Sequence, residues 1–198
     1  MVRTDPLDRE VADHVQQVMQ VMEKHGARVE PLCPDVSTLD ATYRTLRGTM
    51  WATMARGIKP EVRAHFKQTL EENFAVGEAL TIDDVVSAHR NRSALYANML
   101  SIFETVDVLA CPTVGCLPRV QSEEWVTTIG GQKLSDYLHW LRFSFLATVT
   151  GLPAISIPVG TGPSGLPIGL QLIGKPRCEA ALLAAARAVE LAMGGPQA

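Results

Sequence analysis

Apolar residues first recur at three- and four-residue intervals: Val11, Val15, Val18, Met19 and Met22 share one face of a predicted helix. Thr4 or Asp5 is placed to cap it, Pro6 suits its first turn and Gly26 stops it. Residues 27–31 then read as a short strand. Residues 40–75 read as largely helical, broken near Gly57 and Pro60, with Leu46, Met50, Trp51, Met54, Val62, Phe66 and Leu70 as apolar positions. Thr81 followed by Asp84 has the spacing of a capping box. It opens a long helix whose stripe of Val85, Ala88, Leu95, Met99 and Ile102 runs to Phe103 and is interrupted by Arg92.

Residues 106–111 form a buried-strand candidate that Pro112 ends. Patterning then fails from 113 to 133, a stretch of Gly, Pro and polar residues around an isolated Trp125. So long a structureless segment is uncommon within a domain and is often a functional loop. A helix is predicted from about 134 to 149. Two apolar runs, 153–159 and 166–173, are joined by a Gly/Pro-rich turn and predict a hairpin. A last helix follows, with Leu182, Leu183, Ala186 and Val189 facing inward and Gly194 as its stop. The fold class is α/β with helices in the majority, organised as one domain over 1–198.

Composition narrows the partners. The chain is 46% hydrophobic and 20% charged, which describes a globular protein. Its formal charge is −3 and no basic stripe appears, so no nucleic acid is expected to bind. No apolar run approaches the roughly 20 residues that span a bilayer, and the N-terminus has no apolar core of a secretory signal, so no membrane is expected. Cys33, Cys111, Cys116 and Cys178 are irregularly spaced and read as reduced thiols in a cytoplasmic protein.

Several motifs carry less than their letters promise. Residues 160–165 match G-x-G-x-x-G, but Pro163 removes an amide donor and Leu166-Pro167 leads into another strand rather than a helix. A hairpin loop is expected, and no cofactor. Ser164 in the same loop lacks the spacing of a nucleophile elbow and reads as a turn residue, and Ser156 reads as a sheet hydroxyl bonding locally. Cys111 and Cys116 lack the further ligands a zinc site needs, and the five histidines are scattered, so no metal is expected. The sequon at Asn91-Arg92-Ser93 lies mid-helix. Arg92, on the apolar stripe, reads first as a buried ion-pair partner and second as a contact for a ligand carboxylate.

Four passages occur together. They are Asp5-Pro6 with the following helix and Gly26-Ala27-Arg28-Val29-Glu30; the run 90–113 that ends in an apolar strand and Pro112-Thr113; Thr150-Gly151-Leu152-Pro153-Ala154; and Gly165-Leu166-Pro167-Ile168-Gly169-Leu170-Gln171. In this order they resemble the C-terminal portion of the amidase signature family of amide hydrolases, the last two being the most specific. The resemblance covers essentially the whole chain but about half of such an enzyme. It implies a partial amidase-signature-type fold: helices packed on a small mixed β-sheet, closed by a C-terminal hairpin and helix. It also implies chemistry by a Ser nucleophile, a second Ser and a Lys, with backbone amides holding the oxyanion.

In that family all three catalytic residues lie upstream of these passages, the serine nucleophile in a Gly/Ser-rich segment, so no catalytic residue is assigned. Lys133 and Lys175 do not sit in the lysine's context. The loop after the Pro-Thr strand end walls the acyl pocket, which by position implies Thr113 and Val114 as substrate-binding residues, with Trp125 beside them. Thr148 stands where the family commonly has Asn, and its hydroxyl can replace only part of that side chain's hydrogen bonding. The expected function is the C-terminal portion of an amidase-type hydrolase acting on carboxylic amide C–N bonds, inactive alone and binding a small amide when completed by an N-terminal half. The alternative is a non-catalytic binding or assembly module derived from an amidase, self-associating as a homo-oligomer. A hydrolase built on the chain's own Ser or Cys ranks last, because no nucleophile, base and orienting group stand out together.

Overall fold

The computed structural model describes residues 5–195. In chain order the elements are helices α1 (Arg9–Lys24), α2 (Leu39–Ala55), α3 (Pro60–Arg63), α4 (Gln68–Glu78) and α5 (Ile82–Ile102), then strands β1 (Val108–Pro112), β2 (Thr128–Ile129) and β3 (Gln132–Lys133). A 3-10 turn (His139–Leu141), α6 (Arg142–Thr150), β4 (Ala154–Thr161), β5 (Pro167–Gly174) and α7 (Glu179–Ala192) complete the order. Two units separate: residues up to Asp35 with those from Asn98 onward, and Val36–Ala97.

The first unit is built on a three-stranded sheet of order β1-β5-β4. Both pairings are antiparallel, where a mixed sheet is expected from the sequence. Alternation along the strands sends Ile157 and Val159 of β4 and Ile168, Leu170 and Leu172 of β5 to one face, where they bury against Val11 and Val18 of α1 and Leu182, Ala186 and Val189 of α7. Leu170 is wholly inaccessible, and full burial of such a side chain contributes roughly 1.5–3 kcal/mol. Leu183, by contrast, is 58% exposed. Leu182, Ala186 and Val189 repeat every three to four residues, and Leu183 lies one residue, about 100° of helix, off that line.

The hairpin loop between β4 and β5 forms as expected. Gly162 N–H donates to Leu166 O (3.2 Å), and Gly160 and Gly165 take positive φ. No helix opens at the third glycine. α1 begins at Arg9 rather than beside Asp5: Asp8 is its N-cap, Asp5 pairs instead with Arg142 (3.0 Å), and Thr4 lies outside the described residues. Gly26, at φ +91°, ends the helix as predicted.

Residues 27–31 form no strand, because among the described residues no neighbouring strand pairs with them. Within 113–133 a two-stranded ribbon of β2 and β3 appears around Gly130 and Gly131, both at positive φ as a tight hairpin turn requires. The helix expected from 134 starts late, because Leu134 is buried beneath the ribbon and donates its N–H to Thr127 O (2.8 Å), holding the chain extended there.

The helical unit is organised by a close approach. A Cβ on Gly77 of α4 would collide with Gly48 O of α2 and lie 2.9 Å from Ala52 N, so the two backbones meet where neither helix carries a side chain. Phe74 is buried beside Trp51 (5.6 Å, edge-on) and Phe66 (6.0 Å). Arg63 lies over Phe74 at 5.0 Å and binds Glu71 and Glu78. Met50, Met54 and Val62, named among the apolar positions of this region, are exposed. The capping box at Thr81 forms as predicted: Thr81 N–H donates to Asp84 Oδ2 (2.8 Å) and Asp84 N–H to Thr81 Oγ1 (3.2 Å). On α5, Ala88, Leu95 and Met99 are buried and Arg92 is exposed, so the buried ion pair expected of it is not formed. The buried positions step by seven and four, and half-buried Asn91, not Arg92, fills the turn between them.

Candidate functional site

The end of β1 leads into the loop that the sequence singles out. Thr113 N–H donates to Gly169 O (3.0 Å), prolonging the β1–β5 ladder by one residue. Its hydroxyl lies 2.7 Å from Ser156 Oγ of β4, so that serine bonds across the sheet rather than locally. Gly169 sits between them on β5, and a Cβ there would come within 2.8 Å of Thr113 Oγ1. Beneath this row, buried Gln171 uses both amide hydrogens, donating to Phe143 O (2.9 Å) and Cys111 Sγ (3.2 Å).

One carboxylate fixes the loop beyond Thr113. Asp8 Oδ1 accepts from Gly130 N–H (2.7 Å) at the ribbon turn, and Oδ2 accepts from Leu117 N–H (3.2 Å). The Asp8 N–H donates to Gly115 O (2.7 Å). Gly115 is required here, since a Cβ would meet Pro6 O and lie 2.9 Å from the Phe143 ring. Arg119 donates to Thr128 O, tying the loop to the ribbon a second time.

These ties hold open a cavity of about 420 Å³. Val114, Leu117 and Ile168 form its aliphatic wall, and Trp125, Tyr137 and Trp140 its aromatic wall. Arg119, Glu123 and Glu124 supply its charges. Trp125 and Trp140 pack on one cluster of Cys116, Val126, Ile129 and Leu134. Of the three residues named from sequence, Val114 and Trp125 line this cavity, while Thr113 stands beside it, joined through Gly169, which does line it. Sequence reading missed Tyr137 and Trp140, and it missed Asp8 as the clamp.

The hydroxyls and thiols are engaged in other ways. Ser164 donates N–H (2.9 Å) and Oγ–H (2.6 Å) to Glu10 Oε1, so the glycine-rich loop closes on a carboxylate of the chain itself. Burial pushes the Cys111 thiol up to about 11, and burial also raises Cys116, so neither offers a thiolate at neutral pH. Ser135 Oγ lies 3.1 Å from His139 Nδ1, a pairing that resembles a nucleophile and base. The other ring nitrogen faces Arg142 Nη1 at 3.4 Å, where a triad would place a carboxylate, so a guanidinium opposes the imidazolium that proton transfer would create. Thr148 bonds its hydroxyl to Ser144 O of its own helix (2.9 Å). Among the described residues no group of three or more His, Cys, Asp or Glu is arranged to hold a metal ion, and no helix is long and apolar enough to cross a membrane.

Residues 1–183 match the family model described as amidase. The fatty acid amide hydrolase of Medicago truncatula is 31% identical over 189 residues, covering 93% of this chain and 31% of that protein. A component of the glutamyl-tRNA(Gln) amidotransferase of Gluconobacter oxydans is 32% identical over 156 residues, 79% of this chain and 28% of that protein. Among solved structures, a bacterial aryl acylamidase of the amidase signature family superposes with a TM-score of 0.81 at 23% identity, over 97% of this chain and 44% of that one. A second amidase gives 0.86 at 21%, over 95% and 43%. At such identities these structures speak to the fold alone. The chain spans about a third of the length of the curated relatives it matches.

Proposed function

The chain belongs to the amidase family, and on that premise we propose that it is the C-terminal portion of an amide hydrolase, contributing scaffold and substrate wall and inactive alone. The observation that carries this reading is the ratio of coverages: 93% of this chain aligns with 31% of the Medicago truncatula relative. One family model running through both units supports treating 1–198 as a single domain of such an enzyme. Val114 and Trp125 in the cavity, with Thr113 beside it, are the residues that contact the acyl part of a small amide. The Ser–Ser–Lys machinery implied by the family resemblance is supplied from outside these residues. Nothing described within them couples a nucleophile to a base without opposition, Ser135 and His139 included. The four free thiols favour a reducing, cytoplasmic setting.

The test is complementation. The purified chain is assayed on a panel of aryl and alkyl amides, alone and joined to the N-terminal part of an amidase-family enzyme. No turnover alone and turnover when joined, abolished by replacing the serine nucleophile of the added part, is the expected result. Turnover by the chain alone that disappears in Ser135→Ala would overturn the reading. Self-association is the second reading, favoured by Leu183 and Leu191 exposed on α7. A monomer in sizing experiments at micromolar concentration would remove it.

A further inference from the structure

We propose that the cavity beside Thr113 selects a cationic group, an alkylammonium or quaternary ammonium carried by the substrate; the inference rests on reading that cavity as a substrate wall. The aromatic side chains form a corner rather than a stack. Tyr137 and Trp140 lie 6.4 Å apart at 82°, and Trp125 supplies a further wall over the same buried cluster. A methylated ammonium in such a corner presents its charge to ring faces within about 6 Å of their centroids, the range in which cation–π attraction operates.

The charges on the lining point the same way. Arg119 is tied to Thr128 O of the ribbon, and Glu123 puts a carboxylate on the same lining. Glu123 is half-buried, with its N–H held by Val120 O (3.0 Å), and makes no ion pair among the described residues. A neutral apolar occupant would strip water from that carboxylate and return no partner, an unfavourable exchange that discriminates against it. A cation of the same shape supplies the partner. Because Asp8 and Arg119 hold the loop from two sides, the corner is formed before ligand arrives, and little ordering cost opposes binding.

Isothermal titration of the chain with choline and with 3,3-dimethylbutan-1-ol, its neutral isostere, tests the inference. Choline is expected to bind about tenfold more tightly than the isostere. Glu123→Gln, which keeps the shape of the rim, is expected to narrow that ratio to about threefold or less, weakening choline and easing the desolvation cost that the isostere meets. Trp125→Leu, checked for a cooperative melt, is expected to abolish the preference. Equal affinity for the two probes overturns the cation preference and leaves the apolar substrate wall standing. Absence of heat from both overturns the cavity as a binding site, whatever the complementation assay returns.

Discussion

The two units of the chain bury apolar surface by opposite means. In the sheet-bearing unit, aliphatic side chains fill the space between layers: β5 contributes Ile168, Leu170 and Leu172 to one face, with α1 and α7 closing over them. In the helical unit α2 and α4 meet at Gly48 and Gly77, a close contact with no side chain between the backbones. Its aromatic cluster is then covered by guanidinium groups, Arg47 over Trp51 and Arg63 over Phe74. A core filled by side chains absorbs small changes by repacking, whereas a backbone-on-backbone contact has no freedom to yield. The cavity, its clamp and the residues named from the family resemblance all belong to the sheet-bearing unit.

The largest expected effect follows from that contrast. Gly77→Ala adds one methyl group against Gly48 O, a backbone atom, and is expected to destabilise the helical unit by about 2–3 kcal/mol, even though alanine favours a helix by about 1 kcal/mol. Gly48→Ala meets Leu80 Cδ1 at 2.9 Å, the end of a flexible side chain, and is expected to be close to neutral. Urea titration followed by circular dichroism measures both. Equal losses in the two variants would show that helix separation, not the backbone contact, sets the stability.

How much of this was legible depended on range. The α1 stripe, the Thr81–Asp84 box and the β4–β5 hairpin are written within a few residues and read correctly. Residues 27–31 have strand-like composition, but composition carries no information about whether a partner strand pairs with them. The sequence points to Thr4 or Asp5 as the cap of α1 and passes over Asp8, whose carboxylate is spent on Leu117 and Gly130, 109 and 122 residues away, which no local pattern encodes. Val114 and Trp125 were reached through the family resemblance. Tyr137 and Trp140 were hidden inside a predicted helix. Gly130-Gly131 between Thr128-Ile129 and Gln132-Lys133 was the signal that could have exposed the ribbon beneath them.

Asp8 offers the intermediate effect and probes the sheet-bearing unit directly. Asp8→Ala leaves two amide donors, on Leu117 and Gly130, without their carboxylate and is expected to cost about 1–2 kcal/mol. Because those amides position the cavity loop, choline affinity should fall by more than the global melting temperature would imply. A loss of stability with unchanged choline affinity would separate the clamp from the cavity.

The smallest effect depends on pH and sets a long-range acidic contact against a local one. The hydroxyl and then the N–H of Ser164 hold the Glu10 carboxyl below the ordinary glutamate range. The hydroxyl and N–H of Thr81 do the same for Asp84 in the helical unit. A carboxylate whose folded value is lowered stabilises the fold above its unfolded value, and that contribution disappears as pH falls through the folded value. The two differ in the unfolded chain. Thr81 and Asp84 are three residues apart and can keep part of their box when the fold is lost, whereas Glu10 and Ser164 are 154 apart and cannot. Glu10→Gln is therefore expected to lower the melting temperature at pH 7 by more than Asp84→Asn does. In both variants the deficit should shrink as pH falls and vanish once the wild-type carboxyls are protonated in the folded chain. Melting curves at pH 7 and pH 3 decide it. A Glu10→Gln deficit that persists unchanged at pH 3 would mean that the loop is held by packing against α1 rather than by the charge of Glu10.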